Sequence, residues 1–351
     1  MPNPPAAPAV KPIRIAVIGC GFYAQNHLHA WRDLAPSGAD LVGVCDLDSN
    51  KASRAGSQFG VPWFSDAEAL LDAVRPDAVD IVTQMRSHRP LAELAASRGI
   101  GAIVQKPFAP TWDDCVAIVE HARRHKAFLA VHENFRFATS MRRVAQVIAS
   151  GAIGTPNWAR LSFRTHFDVY ATQSYFYTEE RLAIIDVGIH ILDLARVFMG
   201  EVRHLTCETQ RRNPKVRAED TATMLLRHES GAVCLVECTY EARRIPDPFP
   251  ETLVEIEGEA GSIVVGPGER MRVTTQGLYF DEAIGGPLLD WTSRPWHVSQ
   301  AAVLNANAHM LECLQTGKDA QTSGADNLKT YALVEAAYQS AASGMPVRPR
   351  A

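Results

Sequence analysis

The chain has 351 residues, 46% of them hydrophobic, and its 35 basic and 39 acidic side chains give a formal net charge of −4. One hydrophobic core usually stops growing near ~250–300 residues, so this length predicts two domains. Without a dense Lys/Arg block, nucleic acid is not an expected partner. No apolar stretch approaches the roughly 20 residues that span a bilayer, so no membrane partner is expected either. The N-terminus lacks the basic and apolar segments of a secretory signal, which predicts a cytoplasmic location. The seven cysteines form no CxxC pair, and an odd count argues for reduced thiols rather than a disulfide framework. Cys234 and Cys238, four apart in a strand-like run, fall on one sheet face as small buried hydrophobes. No Cys/His spacing predicts a metal site.

Residues 1–12 (MPNPPAAPAVKP) are rich in Pro and Ala without periodicity and are expected to be a flexible tail. From Ile13 onward, short β-branched runs at 13–18, 41–45, 79–83, 101–104 and 127–131 alternate with helical stretches at 25–35, 50–58, 66–74, 89–98 and 112–125. That rhythm predicts parallel βαβ units, with helices on both faces of an open sheet and ligands at the strands' C-terminal ends. A helix at 139–150 and the turn SGAIGTP lead into a second rhythm. There, alternating runs at 157–165, 202–210, 220–228, 232–241, 252–258, 261–265 and 271–281 predict an antiparallel or mixed sheet. Helices are predicted near 182–199, 298–316 and 326–343.

The fold class is therefore an α/β Rossmann-type doubly wound parallel sheet, followed by an α+β domain with a large open, mostly antiparallel sheet. In domain terms, a tail at 1–12 precedes a dinucleotide-binding domain at 13–138. A substrate-binding and oligomerisation domain follows at 139–325, and a C-terminal helix and tail at 326–351. The exposed face of so large a sheet commonly pairs with another subunit, so a homodimer or homotetramer is expected.

IRIAVIGCGFYAQNHLHAW reads as strand, Gly-x-Gly-x-x-Ala turn and helix, the context a dinucleotide fingerprint requires. Gly19 permits the tight turn and Gly21 lets the backbone approach the pyrophosphate. Ala24 keeps the helix close to the strand while its N-terminus faces the negative charge. Phe22 and Tyr23, inside the turn, join the cofactor contacts. The second strand, LVGVCD, ends in Asp46, whose carboxylate can accept from ribose hydroxyls and would repel a 2′-phosphate, so NAD is the expected cofactor.

With these features the sequence resembles the Gfo/Idh/MocA family of NAD(P)-dependent oxidoreductases, over nearly the whole chain after the tail. TQMRSH at 83–88 is similar to the segment after the family's fourth strand, which implies Gln84 and His88 as cofactor neighbours. VQKPF at 104–108 resembles the Glu-Lys-Pro motif. The resemblance implies that Lys106 points at the substrate carbinol and that Pro107 fixes the turn, while Gln105, also at the cofactor, stands where the family has Glu. HENFRF at 132–137 is similar to the Asn-x-Arg-Phe segment and implies that Asn134 and Arg136 border the site.

ERLAIIDVGIHILDLARVFMG resembles the Asp-x-Gly-x-His-x-x-Asp helix, with Glu180-Arg181-Leu182-Ala183 in place of the usual glycine run. Asp186, His190 and Asp193 stand at i, i+4 and i+7 and would line one helical face. Taking a proton from oxygen while hydride leaves carbon suits a histidine, whose unperturbed pKa is near ~6.5. His190 is the expected general base, Asp186 its orienting or hydroxyl-binding partner, and Lys106 the holder of the reacting oxygen. Asp193 could equally cap or pair structurally. Arg164 and His166, at a strand end, are candidate sugar-binding groups, while His27, His29, Trp291 and Trp296 are weaker candidates.

The resemblance implies an NAD-dependent dehydrogenase of a small sugar or polyol. GCGFYAQNHLHAW, QKPFAP, HENFRF and SGADNLK resemble the branch that oxidises the branched pentose D-apiose to its lactone, with myo-inositol or another aldose as rival substrates. The other outcomes to separate are an NAD-dependent glycosidase, as some relatives are, and a non-catalytic sugar sensor.

Overall fold

The computed structural model describes residues 12–350, so the expected tail falls, apart from Pro12, outside the described residues. The chain divides into two compact units. The first comprises the described residues up to His132 together with 306–324, and the second comprises 133–305 and 325–350.

In the first unit six parallel strands form the order β3-β2-β1-β4-β5-β6: β1 (Ile13–Ile18), β2 (Ala39–Cys45), β3 (Trp63–Phe64), β4 (Ala78–Ile81), β5 (Gly101–Gln105) and β6 (Leu129–His132). The reversal of order at β1 and β4 is the switch point at which doubly wound sheets bind ligands. Pattern reading missed β3 because two residues are too short to show alternation. The helices between strands are α1 (Ala24–Asp33), α2 (Ser49–Phe59), α3 (Ala67–Val74), α4 (His88–Ser97) and α5 (Trp112–His125). Several carry their own start signals. Asp48 accepts from the amides of Asn50 and Lys51, Asp66 from Ala69, and Thr111 from Asp114.

Residues 306–324 group with this unit rather than with the expected domain at 139–325. The reason is pairing at the sheet edge: the Val131 amide donates to the Thr322 carbonyl at 2.8 Å, and Ala130 bridges Ser323.

The second unit holds α6 (Thr139–Ala149) and an eight-stranded sheet, β14-β13-β12-β11-β7-β10-β9-β8. Its strands are β7 (Pro156–Arg164), β8 (Val202–Gln210), β9 (Thr221–His228), β10 (Val233–Thr239), β11 (Leu253–Gly258), β12 (Gly261–Gly266), β13 (Arg270–Thr275) and β14 (Leu278–Ala283). All neighbours pair antiparallel except β7 and β10. The predicted single run at 271–281 is instead a hairpin, because Gln276 and Gly277 both take positive φ (50° and 77°) and reverse the chain.

Alternation gives one buried face, with Ala222, Met224, Leu226, Cys234, Val236 and Cys238 among its residues. Both thiols of the Cys234/Cys238 pair are pushed up by burial, as expected of packing residues. That face packs on α7 (Ile189–Met199), which a π-helical turn at Ile184–Gly188 precedes. Gly188 lets the turn lie against β10, since a Cβ there would meet the Cys238 sulfur at 3.3 Å. The helices α8 (His297–Thr316) and α9 (Gly324–Ser343) complete the chain. Among the described residues, no helix is long and apolar enough to cross a membrane.

Candidate active site

The glycine turn shows why each of its residues is required. Gly19 has φ +103°, and a Cβ there would fall 2.2 Å from the Val82 carbonyl oxygen, so only glycine fits between β1 and β4. At Gly21 a Cβ would meet nothing within 4 Å. The protein itself does not demand this glycine; the space beside it at the start of α1 is where a pyrophosphate can approach the backbone. Phe22 is 65% exposed and Tyr23 half-buried, edge-on to the His27 ring. The Asp46 carboxylate accepts from the Cys20 amide at 2.8 Å and from the Asp48 amide at 2.9 Å. Ribose binding would use its remaining lone pairs, and the carboxylate also ties the glycine turn to the end of β2.

Behind the turn lies a buried polar chain with a definite proton order. The Lys106 amide donates to Gln105 Oε1 at 2.7 Å, which leaves the Gln105 amide nitrogen facing His27 Nε2 at 3.1 Å. Because that nitrogen can only donate, His27 Nε2 accepts and the ring carries its proton on Nδ1, directed at Asp80 Oδ2 at 2.8 Å. Trp31 Nε1 donates to the same oxygen at 2.7 Å. Burial alone would raise the Asp80 carboxyl, but His27 and the hydrogen bonds from His27 and Trp31 outweigh it and hold it below the usual range. The His132 ring lies 4.2 Å from that of His27 and bonds Asn307 at 2.9 Å. Burial, then His27, pushes its pKa down to about 3. Lys106 is half-buried, and the Lys106–Pro107 peptide is cis.

Gln84 is exposed at the head of the turn before α4. His88 is buried, with Nδ1 against the carbonyls of Pro107 and Phe108 and Nε2 against that of Thr83, all at 3.1 Å. Its ring braces the backbone of two loops.

In the second unit, the three polar residues of the Asp-x-Gly-x-His-x-x-Asp segment have three separate partners. Asp186, in the π-helical turn, accepts from the Tyr240 hydroxyl. His190 is 3% exposed, with Nδ1 hydrogen bonded to Glu133 and its ring stacked on Phe135 at 3.8 Å and 4°. Asp193 is fully buried and takes two bonds from Arg136 (2.7 and 2.5 Å) and one from Thr330 (2.8 Å). Arg136 also meets Asp326, and these carboxylates raise its pKa despite the cost of burial. Asp193 and Arg136 therefore form a buried ion pair. Asn134, by contrast, is 1% exposed with neither amide atom hydrogen bonded, an arrangement that calls for a ligand or water.

Arg164 is half-buried at the end of β7, and His166 pairs with Asp247 at 2.7 Å. Trp296 packs on Phe167 and Phe249 and anchors a loop. Beyond the end of β7 a cleft open to solvent is lined by Tyr170, Tyr177, Asn213, Lys215, Glu241 and Tyr240, the last of which is the hydroxyl on Asp186. Hydroxyls, an amide and both charges suit a polyhydroxylated ligand. Glu133, Phe135 and Tyr240 escaped sequence reasoning. Glu133 had a signal, an acidic residue directly after an apolar strand; Tyr240, 54 residues from Asp186, had none. No group of three or more His, Cys, Asp or Glu among the described residues could hold a metal ion.

A dinucleotide cradle on a doubly wound sheet, followed by an open sheet carrying an Asp/His helix, defines a class of two-domain oxidoreductases, and the chain matches it in both parts. Residues 13–133 match the Gfo/Idh/MocA "oxidoreductase family, NAD-binding Rossmann fold", and residues 141–264 match the "GFO/IDH/MocA C-terminal domain". The chain belongs to the Gfo/Idh/MocA oxidoreductases, and its first domain is an NAD-binding domain. More particularly, it is 46% identical over 339 residues to a D-apiose dehydrogenase of Paraburkholderia graminis, covering 96% of this chain and 90% of that one. A D-apiose dehydrogenase of Rhizobium rhizogenes is 46% identical over 334 residues, covering 95% and 96%. An oxidoreductase from Agrobacterium radiobacter, solved with NAD+, L-tartaric acid and magnesium, aligns with TM-score 0.94 at 45% identity over 96% of this chain and 98% of that one.

Proposed function

We propose that this protein is an NAD-dependent sugar dehydrogenase that oxidises the anomeric carbinol of D-apiose to a lactone. The observation that carries this reading is the 46% identity to D-apiose dehydrogenases across 96% of the chain, with Lys106, Asp186 and His190 all present. Bound NAD would supply the acceptor for the hydride that leaves the carbinol carbon. His190 takes the hydroxyl proton on Nε2, the nitrogen opposite its Glu133 contact. Lys106 holds the reacting oxygen and favours its deprotonation. Asp186, fixed by Tyr240, binds a neighbouring hydroxyl. Gly19, Gly21, Phe22, Tyr23, Ala24, Asp46 and Gln84 hold the cofactor, and Asn134, with a free donor and acceptor, adds a contact to cofactor or sugar. Arg164 is a further sugar contact.

Location in the cytoplasm and pairing of subunits through the open sheet complete the proposal. Leu225, Val264 and Tyr279 are exposed on that sheet.

The test is a panel of D-apiose, myo-inositol and common aldoses with NAD or NADP, read at the absorbance of NADH or NADPH. D-apiose with NAD should give the highest kcat/KM. A better turnover of inositol or another aldose would replace the substrate assignment. Equal use of NADP would overturn the role given to Asp46, and no reduced cofactor with any free sugar or polyol would end the dehydrogenase reading. Release of sugar from a glycoside without NADH would mark a glycosidase instead.

A further inference from the structure

Glu133 and Phe135 hold the His190 ring from two sides. The carboxylate bonds Nδ1, and the phenyl ring lies flat on the imidazole at 3.8 Å and 4°. Glu133 and His190 are both essentially buried, so the charge of the carboxylate acts with little screening by water. The Phe135 amide also donates to Glu133 Oε1 at 3.2 Å, which fixes the carboxylate from the same short turn that supplies the stacking ring.

We propose that Glu133 is the positioning residue of His190: it keeps the proton on Nδ1, leaves the Nε2 lone pair as the proton-accepting atom, and stabilises the imidazolium formed when His190 takes the substrate proton. The proposal rests on the reading of His190 as the base. Its logic is general: a buried carboxylate on one ring nitrogen sets the tautomer and raises the basicity of the other. In this step the proton moves from the sugar hydroxyl to Nε2.

Among the other ionisable groups on the elements packed against α7, Arg136 and Asp193 lie close enough to Glu133 for their charges to act on one another. Arg136 pairs with Asp193, and Tyr240 with Asp186. The Cys238 thiol is held protonated by burial, with Arg164 acting on it as a nearby charge. Arg160 pairs with Glu237, and on α6 Arg143 pairs with Glu282, while Arg142 stands beside it in sequence.

In sugar oxidation, kcat/KM rises with pH as His190 loses its proton. Removing the Glu133 charge lowers the pKa of the imidazolium, so in Glu133→Gln the rise should move to lower pH by about 1–2 units. Its plateau should fall at least about tenfold, because glutamine can also present its NH2 and select the wrong tautomer. NAD affinity, read by fluorescence titration, should be unchanged. An unmoved pH profile with intact kcat in Glu133→Gln overturns the proposal.

Glu133→Asp, which keeps the charge but withdraws it, should retain the position of the pH rise within about 0.5 unit while kcat falls. Should the glutamine variant not fold, wild-type kcat in the aspartate variant overturns the proposal on its own. His190→Ala separates the two levels. If it keeps activity with the same pH rise, the base assignment itself is wrong. If it abolishes the rise while Glu133→Gln does not move it, only the role of Glu133 fails.

Discussion

Gln105 stands where the resemblance to the Glu-Lys-Pro motif implies a Glu, and its surroundings fix what introducing the acid must do. The side chain is 6% exposed, with Oε1 taken by the Lys106 amide and Nε2 on the lone pair of His27 Nε2. In Gln105→Glu the outer oxygen would face that lone pair at about the same distance, acceptor against acceptor, unless a proton enters the network. His27 then becomes an imidazolium between Asp80 and the introduced carboxylate, or the introduced carboxyl group itself stays protonated. Either way the folded state binds one proton more than it does with glutamine.

The sign follows. A group whose folded pKa is raised contributes stability at low pH and loses it as pH rises through that pKa. Above the unfolded His value of ~6.5, the variant's stability relative to wild type should fall by up to ~1.36 kcal/mol per pH unit, or about 2 kcal/mol between pH ~6.5 and ~8. At roughly 2–4 °C per kcal/mol for domains of 150–250 residues, the gap in Tm should widen by about 4–8 °C. Thermal unfolding of both proteins by circular dichroism at the two pH values measures it. A gap that stays constant or narrows as pH rises would refute the proton order assigned to Gln105, His27 and Asp80.

The two glycines of the turn should fail differently. Gly21→Ala has room for its Cβ and should fold with an unchanged Tm, yet bind NAD about tenfold or more weakly by fluorescence titration, a loss of ~1.4 kcal/mol. Gly19→Ala, at φ +103° and 2.2 Å from the Val82 oxygen, should lose the fold of the first unit. A folded, NAD-binding Gly19→Ala variant would contradict that geometry. For the buried ion pair, Asp193→Asn leaves Arg136 short of a charge and should cost about 3 kcal/mol in urea unfolding. A change under ~1 kcal/mol would mean that Asp326 alone satisfies the guanidinium.

Local chemistry made much of the first domain legible. The β1 turn and the acid ending β2 act within a few residues, so pattern reading reaches them. It reached β13 and β14 only as one run, because strand-forming residues continue on both sides of Gln276-Gly277 and the positive φ of Gln276 leaves no mark at a non-glycine residue. What decides His88 lies 19 residues away, in the carbonyl of Pro107, and no periodicity carries that information.

The Asp186–His190–Asp193 segment shows where spacing stops being informative. Separations of four and seven predict one face of a regular helix, but the chain enters α7 through a π-helical turn, which places successive side chains at a smaller angular step than an α-helix does. Each residue then meets a partner that the spacing could not name. Asp193 finds a cation and becomes part of the core. His190 finds a carboxylate and a phenyl ring, which together fix the imidazole through Nδ1 and one ring face. Asp186 finds a phenol at the edge of the cleft, so its carboxylate is held while remaining half-buried rather than sealed in. The sequence places three polar residues on a helix, and long-range partners separate one buried ion pair from a histidine held by a carboxylate and an aspartate held by a phenol.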